Sequence, residues 1–425
     1  MLRRMSKLSP EEFARLHPET LALSHGFDPF LSEGAVKPPV FLTSTFAFRK
    51  AEDGKRFFAW MRGEGGAPTG KHQAGLIYSR FNNPNLEIFE DRMAVWEGMK
   101  GALSFSSGMA AISTALLATH NPGDESIVSV PLYGGTETFM RGFLAKFGIR
   151  CHFIPAGAGA PAAAAALLGP RTRSIFIESP ANPNNRLTDL AALRALSREH
   201  RTADGRGVLV MVDNTVAGPV FCQPAKFGAD LVIYSATKYI GGHSDVVGGV
   251  VLADDFALLK SLAGLRNSLG GMPNPHTAWL LTRSLETLKI RAETAARNAQ
   301  RCAEFLAGHP KVRHVGFLGL LQPGEAEYEV YRRQHTGPGS LISVCIRGGE
   351  AEAFRFLDHL KVIKLAVSLG STESLAQHPA AMTHSGLTPE AKAASGVTDD
   401  LVRISIGIEN AEDLVWDLGQ ALDHV

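Results

Sequence analysis

Lys238 lies in the run Tyr234-Ser235-Ala236-Thr237-Lys238-Tyr239-Ile240-Gly241-Gly242-His243, directly after an apolar stretch and 25 residues beyond Asp213, which closes a second apolar stretch. A lysine amine can form a Schiff base with an aldehyde. A carboxylate opposite an aromatic heterocycle keeps the ring nitrogen protonated, so that the ring accepts electrons. Together the two suit pyridoxal phosphate chemistry. A free lysine titrates near ~10.4, so one that attacks and shuttles protons at neutral pH needs a buried pocket to lower that value. Most lysines are solvated surface charges. Here Asp213 and the hydroxyls of Ser235 and Thr237, suited to hold a phosphate and the lysine-bearing turn, favour the chemical reading.

Other residues fit the same requirement. Gly108 and Met109 stand at a turn into an apolar helix, where backbone amides backed by the helix dipole can point at a phosphate. Tyr133, in Leu132-Tyr133-Gly134-Gly135-Thr136, follows a strand; its ring can lie parallel to a pyridine while the glycines allow close backbone approach. A structural aromatic at the sheet end is the competing reading. Arg403 sits between Val402 and Ile404 on a strand, an expensive place to bury a charge unless it meets an anion. His243 and Asp245 lack a third metal ligand or a GxSxG elbow and are read as structural, so no metal site is expected.

The elements that must position these groups alternate between about residues 85 and 255. Helices are expected over Leu86 to Gly98 and Ala110 to Thr119, with a short apolar run and turn from Ala102 to Gly108. Strands are expected at Ser126 to Val130, Ser174 to Glu178, Val208 to Asp213, Leu231 to Ser235 and Gly249 to Ala253. Short apolar strands separated by helices predict an α/β fold with a mainly parallel sheet, and ligands collect beyond the carboxyl ends of such strands. Glu178, Asp213 and Ser235 all stand there.

A long helix around Thr277 to Leu306 marks the passage to a smaller α+β unit. Its strands, Leu341 to Arg347 and Leu401 to Ile408, alternate apolar and polar residues as in an antiparallel sheet covered on one face. Before residue 60 the chain reads as an irregular arm of the kind that docks on a neighbouring subunit, although Ser9-Pro10-Glu11-Glu12 signals a helix start. Gly63 to Gly70 has the composition of an exposed loop, and Gly157 to Ala166 reads as a linker into a short alanine-rich helix. The resulting division is 1–75 arm and loop, 76–285 large domain and 286–425 small domain.

The chain has 425 residues, 45% of them hydrophobic, enough for a large core in two or three units. Lys plus Arg (43) nearly balances Asp plus Glu (42), so no overall field draws the protein to nucleic acid or an anionic membrane. Cys151, Cys222, Cys302 and Cys345 match neither zinc nor disulfide spacing. With no signal peptide and no apolar run near twenty residues, a cytoplasmic location is expected.

The sequence resembles the pyridoxal phosphate enzymes of cysteine and methionine metabolism, the family of the cystathionine and methionine γ-lyases and cystathionine γ-synthase. The resemblance runs from about Tyr78 to the C-terminus. It rests on YSRFNNP at 78 to 84, SSGMAA at 106 to 111, LYGGT at 132 to 136, ESPANP at 178 to 183, DNT at 213 to 215, SATKY at 235 to 239, AVSLG at 366 to 370, HPAAMTHS at 378 to 385 and LVRISIGIE at 401 to 409.

The resemblance implies fold type I, the aspartate aminotransferase-like fold. It implies that Gly108 and Met109 form a phosphate cup, that Tyr78 and Arg80 reach the cofactor from an adjacent subunit, and that Asn182 bonds the cofactor's 3-hydroxyl. Thr215, in DNT, is a cofactor-binding position. Arg403 takes the substrate carboxylate, and Ser368 and Thr383 line the pocket. Dimers with shared sites pairing into a homotetramer are implied as well.

The implied reaction begins with Lys238 removing the α-proton, followed by loss of a β-proton. The γ-substituent then leaves with acid help from Tyr133. Two matched positions depart from the pattern. Methionine γ-lyases typically carry cysteine where this chain has Gly135, and cystathionine-handling members an acid where it has Ile77. An apolar Ile77 suggests a leaving group without a charged far end. The expected reaction is γ-elimination from a sulfur amino acid, giving a 2-oxo acid, ammonia and a thiol. The alternatives are γ-replacement on an O-acylhomoserine, or a cofactor-binding homologue without turnover.

Overall fold

The computed structural model describes residues 8–62, 64 and 75–425. The expected loop at Gly63 to Gly70 therefore lies, Glu64 apart, outside the described residues. Seven strands form the larger sheet: β1 (Gly101–Phe105), β2 (Glu125–Val130), β3 (Arg150–Pro155), β4 (Thr172–Glu178), β5 (Leu209–Asp213), β6 (Leu231–Ser235) and β7 (Gly249–Ala253). Their order is β1-β7-β6-β5-β4-β2-β3. β7 runs antiparallel to both neighbours and the remaining pairs are parallel.

Side chains alternate between the faces of a strand, and both faces here are packed. Ile175, Ile177, Val210 and Val212 join Trp96, Leu190 and Leu193 in one cluster. Phe176, Met211 and Ile233 join Ile112, Leu116 and Leu262 in another. Each such burial contributes roughly 1.5–3 kcal/mol, which explains why these strands read as continuous apolar runs. β1 and β3 escape that reading because they begin at Gly101 and at the exposed Arg150 and are less completely buried.

The smaller sheet, in the order β10-β11-β12-β9-β8, contains β8 (Val312–Gly316), β9 (Leu341–Ile346), β10 (Lys364–Leu365), β11 (Leu375–Gln377) and β12 (Leu401–Ser405). Its pairs are antiparallel except β10 with β11. The expectation of one covered face needs correction, because every residue of β9 and β12 is buried. Ile342, Val344, Val402 and Ile404 pack on helices Leu288–Ala307 and Ala411–Leu422. The opposite face turns toward the larger sheet: Leu341 joins the larger sheet's core, and Ser343 donates to the carbonyl of Pro183.

The single helix expected over Thr277 to Leu306 is two, Pro275–Leu285 and Leu288–Ala307. At the break the Glu286 amide bonds Arg283 and Ser284 carbonyls, while its carboxylate reaches Arg92 (3.3 Å) and Lys37 (2.6 Å). The arm is more ordered than its composition suggests. Ser9 and Glu12 form a capping box, and Ala51–Arg62 is helical with Glu52 and Asp53 in its first turn. The Gly157 to Ala166 stretch leads into helix Ala160–Leu167 as expected. No helix among the described residues is long and apolar enough to cross a membrane.

Candidate active site

Strand ends bring the predicted residues together. β4, β5 and β6 are neighbours, with Glu178 in register with Asp213 and Asp213 with Ile233, so Glu178, Asp213 and Ser235 emerge side by side. The Asp213 carboxylate is 5% exposed and accepts from the Thr215 amide (3.0 Å) and hydroxyl (2.6 Å). The Thr215 hydroxyl in turn accepts from the Ser235 amide at 2.8 Å, tying the two strand ends. Burial raises the Asp213 pKa against these two hydrogen bonds. No cation pairs with it among the described residues, so the carboxylate is open to a cationic ligand.

Lys238 follows β6 in a turn held by the Thr237 hydroxyl, which accepts from the Gly248 amide at 3.0 Å. Its amine donates to Ser368 Oγ at 2.9 Å. Burial first, and the Arg403 charge second, bring the amine's pKa down to about 8. The neutral amine is the nucleophile. The rate at which cofactor-free protein takes up pyridoxal phosphate is therefore expected to rise tenfold per pH unit below about 8 and level off above it, as stopped-flow absorbance would show.

Arg403 is 3% exposed. Nη1 donates to Asn182 Oδ1 at 3.0 Å and Nη2 to the Ser368 carbonyl at 2.6 Å. With its amide oxygen facing Arg403, Gln377 accepts from Nη1 (3.1 Å), Nη2 (3.3 Å) and Thr383 Oγ1 (3.1 Å). All these partners are neutral, and no carboxylate forms an ion pair with Arg403 among the described residues. Burial lowers its pKa to about 10, and a guanidinium so placed is short of an anion.

Glu178, named in the sequence only for its place at the strand end, organises two loops. Oε2 accepts from the Tyr133 amide and Oε1 from the Asn182 amide, both at 2.8 Å. Burial, and then the nearby Asp213 carboxylate, raise its pKa well above the ordinary range. Asn182 gives its oxygen to Arg403, leaving its amide nitrogen for a ligand. Sequence reasoning missed Gln377 and His384, although both flank or lie within the HPAAMTHS run; His384 joins Thr383 Oγ1 and the Leu132 carbonyl, each at 3.0 Å.

Helix Gly108–Thr119 starts against Ser235 at the end of the lysine strand. Ser107 caps the Ala110 amide, and the first amides of a helix have no acceptor within it. A Cβ on Gly108 would stand 2.8 Å from Ser235 Cβ, so the backbone approaches the lysine strand too closely for any side chain. At Gly134 the clash would be with the Thr383 carbonyl, at 2.1 Å. We expect Gly108→Ala to weaken cofactor retention by roughly 1–3 kcal/mol, about 5- to 150-fold in equilibrium dialysis.

These contacts link Lys238, Arg403, Asn182, Ser368, Thr383, Tyr133, Asp213, Thr215, Ser235 and Gly108. Tyr78 and Arg80 stand apart. Arg80 donates to the Asn267 carbonyl at 2.5 Å and lies 4.5 Å over Phe81, and Tyr78 is exposed, bridging Thr45. His243 bonds the Gly241 carbonyl, and no group of three metal-ligating side chains occurs among the described residues.

Helix-start amides at Gly108, an amine with a lowered pKa, a buried acid with no cation partner among the described residues and a buried guanidinium fit the donor set of a pyridoxal phosphate site. The family description "Cys/Met metabolism PLP-dependent enzyme" matches residues 19–423. The chain belongs to that family. It is a pyridoxal phosphate-dependent enzyme. L-methionine gamma-lyase of Pseudomonas putida is 41% identical, over 95% of this chain and 96% of its own length. Cystathionine gamma-lyase from Lactobacillus plantarum, solved with L-serine, superposes with a TM-score of 0.86 at 32% identity, covering 96% of this chain and 99% of that one. Cystathionine gamma synthase from Xanthomonas oryzae pv. oryzae, solved with cystathionine, gives 0.84 at 37% identity over 96% and 98%.

Proposed function

We propose that this enzyme catalyses γ-elimination on a sulfur-containing amino acid, releasing a 2-oxo acid, ammonia and a thiol. One observation carries the reading: Ser368 accepts the Lys238 amine on its hydroxyl and the Arg403 guanidinium on its carbonyl. A proton carrier and a carboxylate anchor thus flank one residue, the spacing needed to work on the carbon beside a carboxylate. The cofactor, when bound, supplies an electron-accepting ring attached to the substrate nitrogen.

The chain's own residues do the rest. Arg403 holds the substrate carboxylate, with Ser368 and Thr383 lining the pocket beside it. Lys238 takes the α-proton as the neutral amine, hands it back to the bound molecule one position along so as to be neutral again, and then takes a β-proton. Water would supply the oxygen of the 2-oxo acid and release the ammonia. Tyr133, 43% exposed and with its amide fixed by Glu178, would lie against the bound cofactor and supply the proton to the departing sulfur. Asp213, steadied by Thr215, keeps the ring nitrogen protonated. Asn182 would bond the ring hydroxyl, and the Gly108 and Met109 amides with Ser235 and Thr237 would hold the phosphate.

Tyr78 and Arg80 reach the phosphate of a second copy, which accounts for their separation from Lys238 within one chain. Exposed apolar residues on the arm, Phe30 (85%), Val36 (83%) and Leu42 (77%), support its docking on that copy in a homotetramer. Four unpaired thiols suit a reducing compartment, the cytoplasm.

Ile77, 8% exposed beside Tyr78, offers no partner to a distal ammonium and favours an uncharged leaving group. The lyase relative at 41% identity supports elimination, and the synthase structure at 37% keeps γ-replacement as the second reading. Incubation with L-methionine, cystathionine, or O-acylhomoserine plus a thiol separates them. Elimination gives 2-oxobutyrate from L-methionine, and less readily from cystathionine, whose leaving group carries an ammonium; a thioether formed only from O-acylhomoserine would overturn the assignment.

A further inference from the structure

Behind the strand ends lies a buried hydrogen-bonded chain that the reaction does not use. The Tyr234 hydroxyl donates to Glu97 Oε2, and Asn214 Nδ2 donates to the Tyr234 oxygen at 2.8 Å and to the Cys222 carbonyl at 2.8 Å. Glu97 Oε1 accepts from the Ala225 amide at 3.1 Å. Glu97 and Asn214 are fully buried and Tyr234 is 1% exposed. Glu97 closes helix Pro84–Glu97, so the chain anchors the sheet to that helix.

Its position in sequence is what matters. Asn214 directly follows Asp213, and Tyr234 directly precedes Ser235, three residues before Lys238. In front, Thr215 joins the ends of β5 and β6 through Asp213 and the Ser235 amide; behind, Asn214 and Tyr234 join the same two ends. The strand ends carrying the carboxylate and the amine are thus pinned from both sides, and the rear pin ends on Glu97. A buried acid held only by neutral donors is costly, and a well-packed apolar residue would stabilise the fold at least as well. Burial raises the Glu97 pKa to about 8, and the other ionisable groups felt there are Tyr234, the Cys222 thiol and the Lys226 amine.

We propose that Glu97, acting through Tyr234 and Asn214, is a positioning residue that sets Asp213 and the Lys238 turn against the cofactor. The proposal rests on the site assigned above. It requires small displacements of these groups to change the ionisation of the lysine-bound cofactor, since charge interactions at contact distance vary steeply with position.

The test uses the holoenzyme and reads the pH midpoint of the cofactor's visible absorption, together with cofactor retention on dialysis. Glu97→Leu and Tyr234→Phe are expected to move the midpoint by at least half a pH unit and to weaken retention at least fivefold. Glu97→Gln, which keeps an oxygen for Tyr234 but loses the acceptor for the Ala225 amide, brings the midpoint at least halfway back to the wild-type value. An unmoved midpoint in folded Tyr234→Phe overturns the proposal even if thermal stability falls, and this variant decides alone should Glu97→Leu not fold. Glu97→Gln behaving like Glu97→Leu overturns it too. If the wild-type protein itself shows no lysine-dependent band, the site assignment has failed and the inference falls with it.

Discussion

Replacing Lys238 with alanine is expected to lower turnover about ten-thousand-fold or more, because one amine anchors the cofactor and carries both protons. Its approach to Ser368 at 2.9 Å and its depressed pKa are properties of that amine alone. Lys238→Arg keeps the charge but holds it permanently, so it should be as inactive as alanine. Initial rates and the visible absorption of purified protein measure both effects. Retained colour and turnover in the alanine variant would remove the basis of the assignment.

Arg403→Met is the second large effect. Methionine fills much of the volume and removes the guanidinium bonded to both Asn182 and Ser368. Loss of a buried, charge-assisted anchor costs roughly 2–5 kcal/mol, about 30- to 5,000-fold in kcat/KM. A second readout comes from the same change. The Arg403 charge helps to lower the Lys238 pKa, so the pH limb of cofactor uptake should move upward in the variant. An unchanged KM with an unchanged limb would place the carboxylate anchor elsewhere.

The fold was legible where burial is two-sided. β2, β4, β5, β6 and β7 read directly as apolar runs, and their ends located Asp213 and Ser235. β1 and β3 carry weaker signals because part of each is open to solvent. The helix break near Glu286 has no proline or glycine to announce it and depends on Arg92 and Lys37, nearly 200 residues or more away in sequence. Much the same holds for the site. Lys238 and Asp213 announce themselves by type and position. Glu178, Gln377 and His384 matter through hydrogen bonds to distant loops, which no spacing rule encodes.

Between residues 182 and 185 a single loop reaches out of the larger sheet. Asn182 meets Arg403, Pro183 accepts from Ser343, Asn184 bonds the Ser395 carbonyl, and Asn185 bonds the carbonyls of Gly316 and Leu341. A tether with five stitches leaves little freedom for the two halves to swing apart. On the proposed reading, discrimination among leaving groups lies in the side chain, or its absence, at positions such as Ile77 and Gly135. New preferences can arise by exchanging a few of those side chains on an unaltered frame.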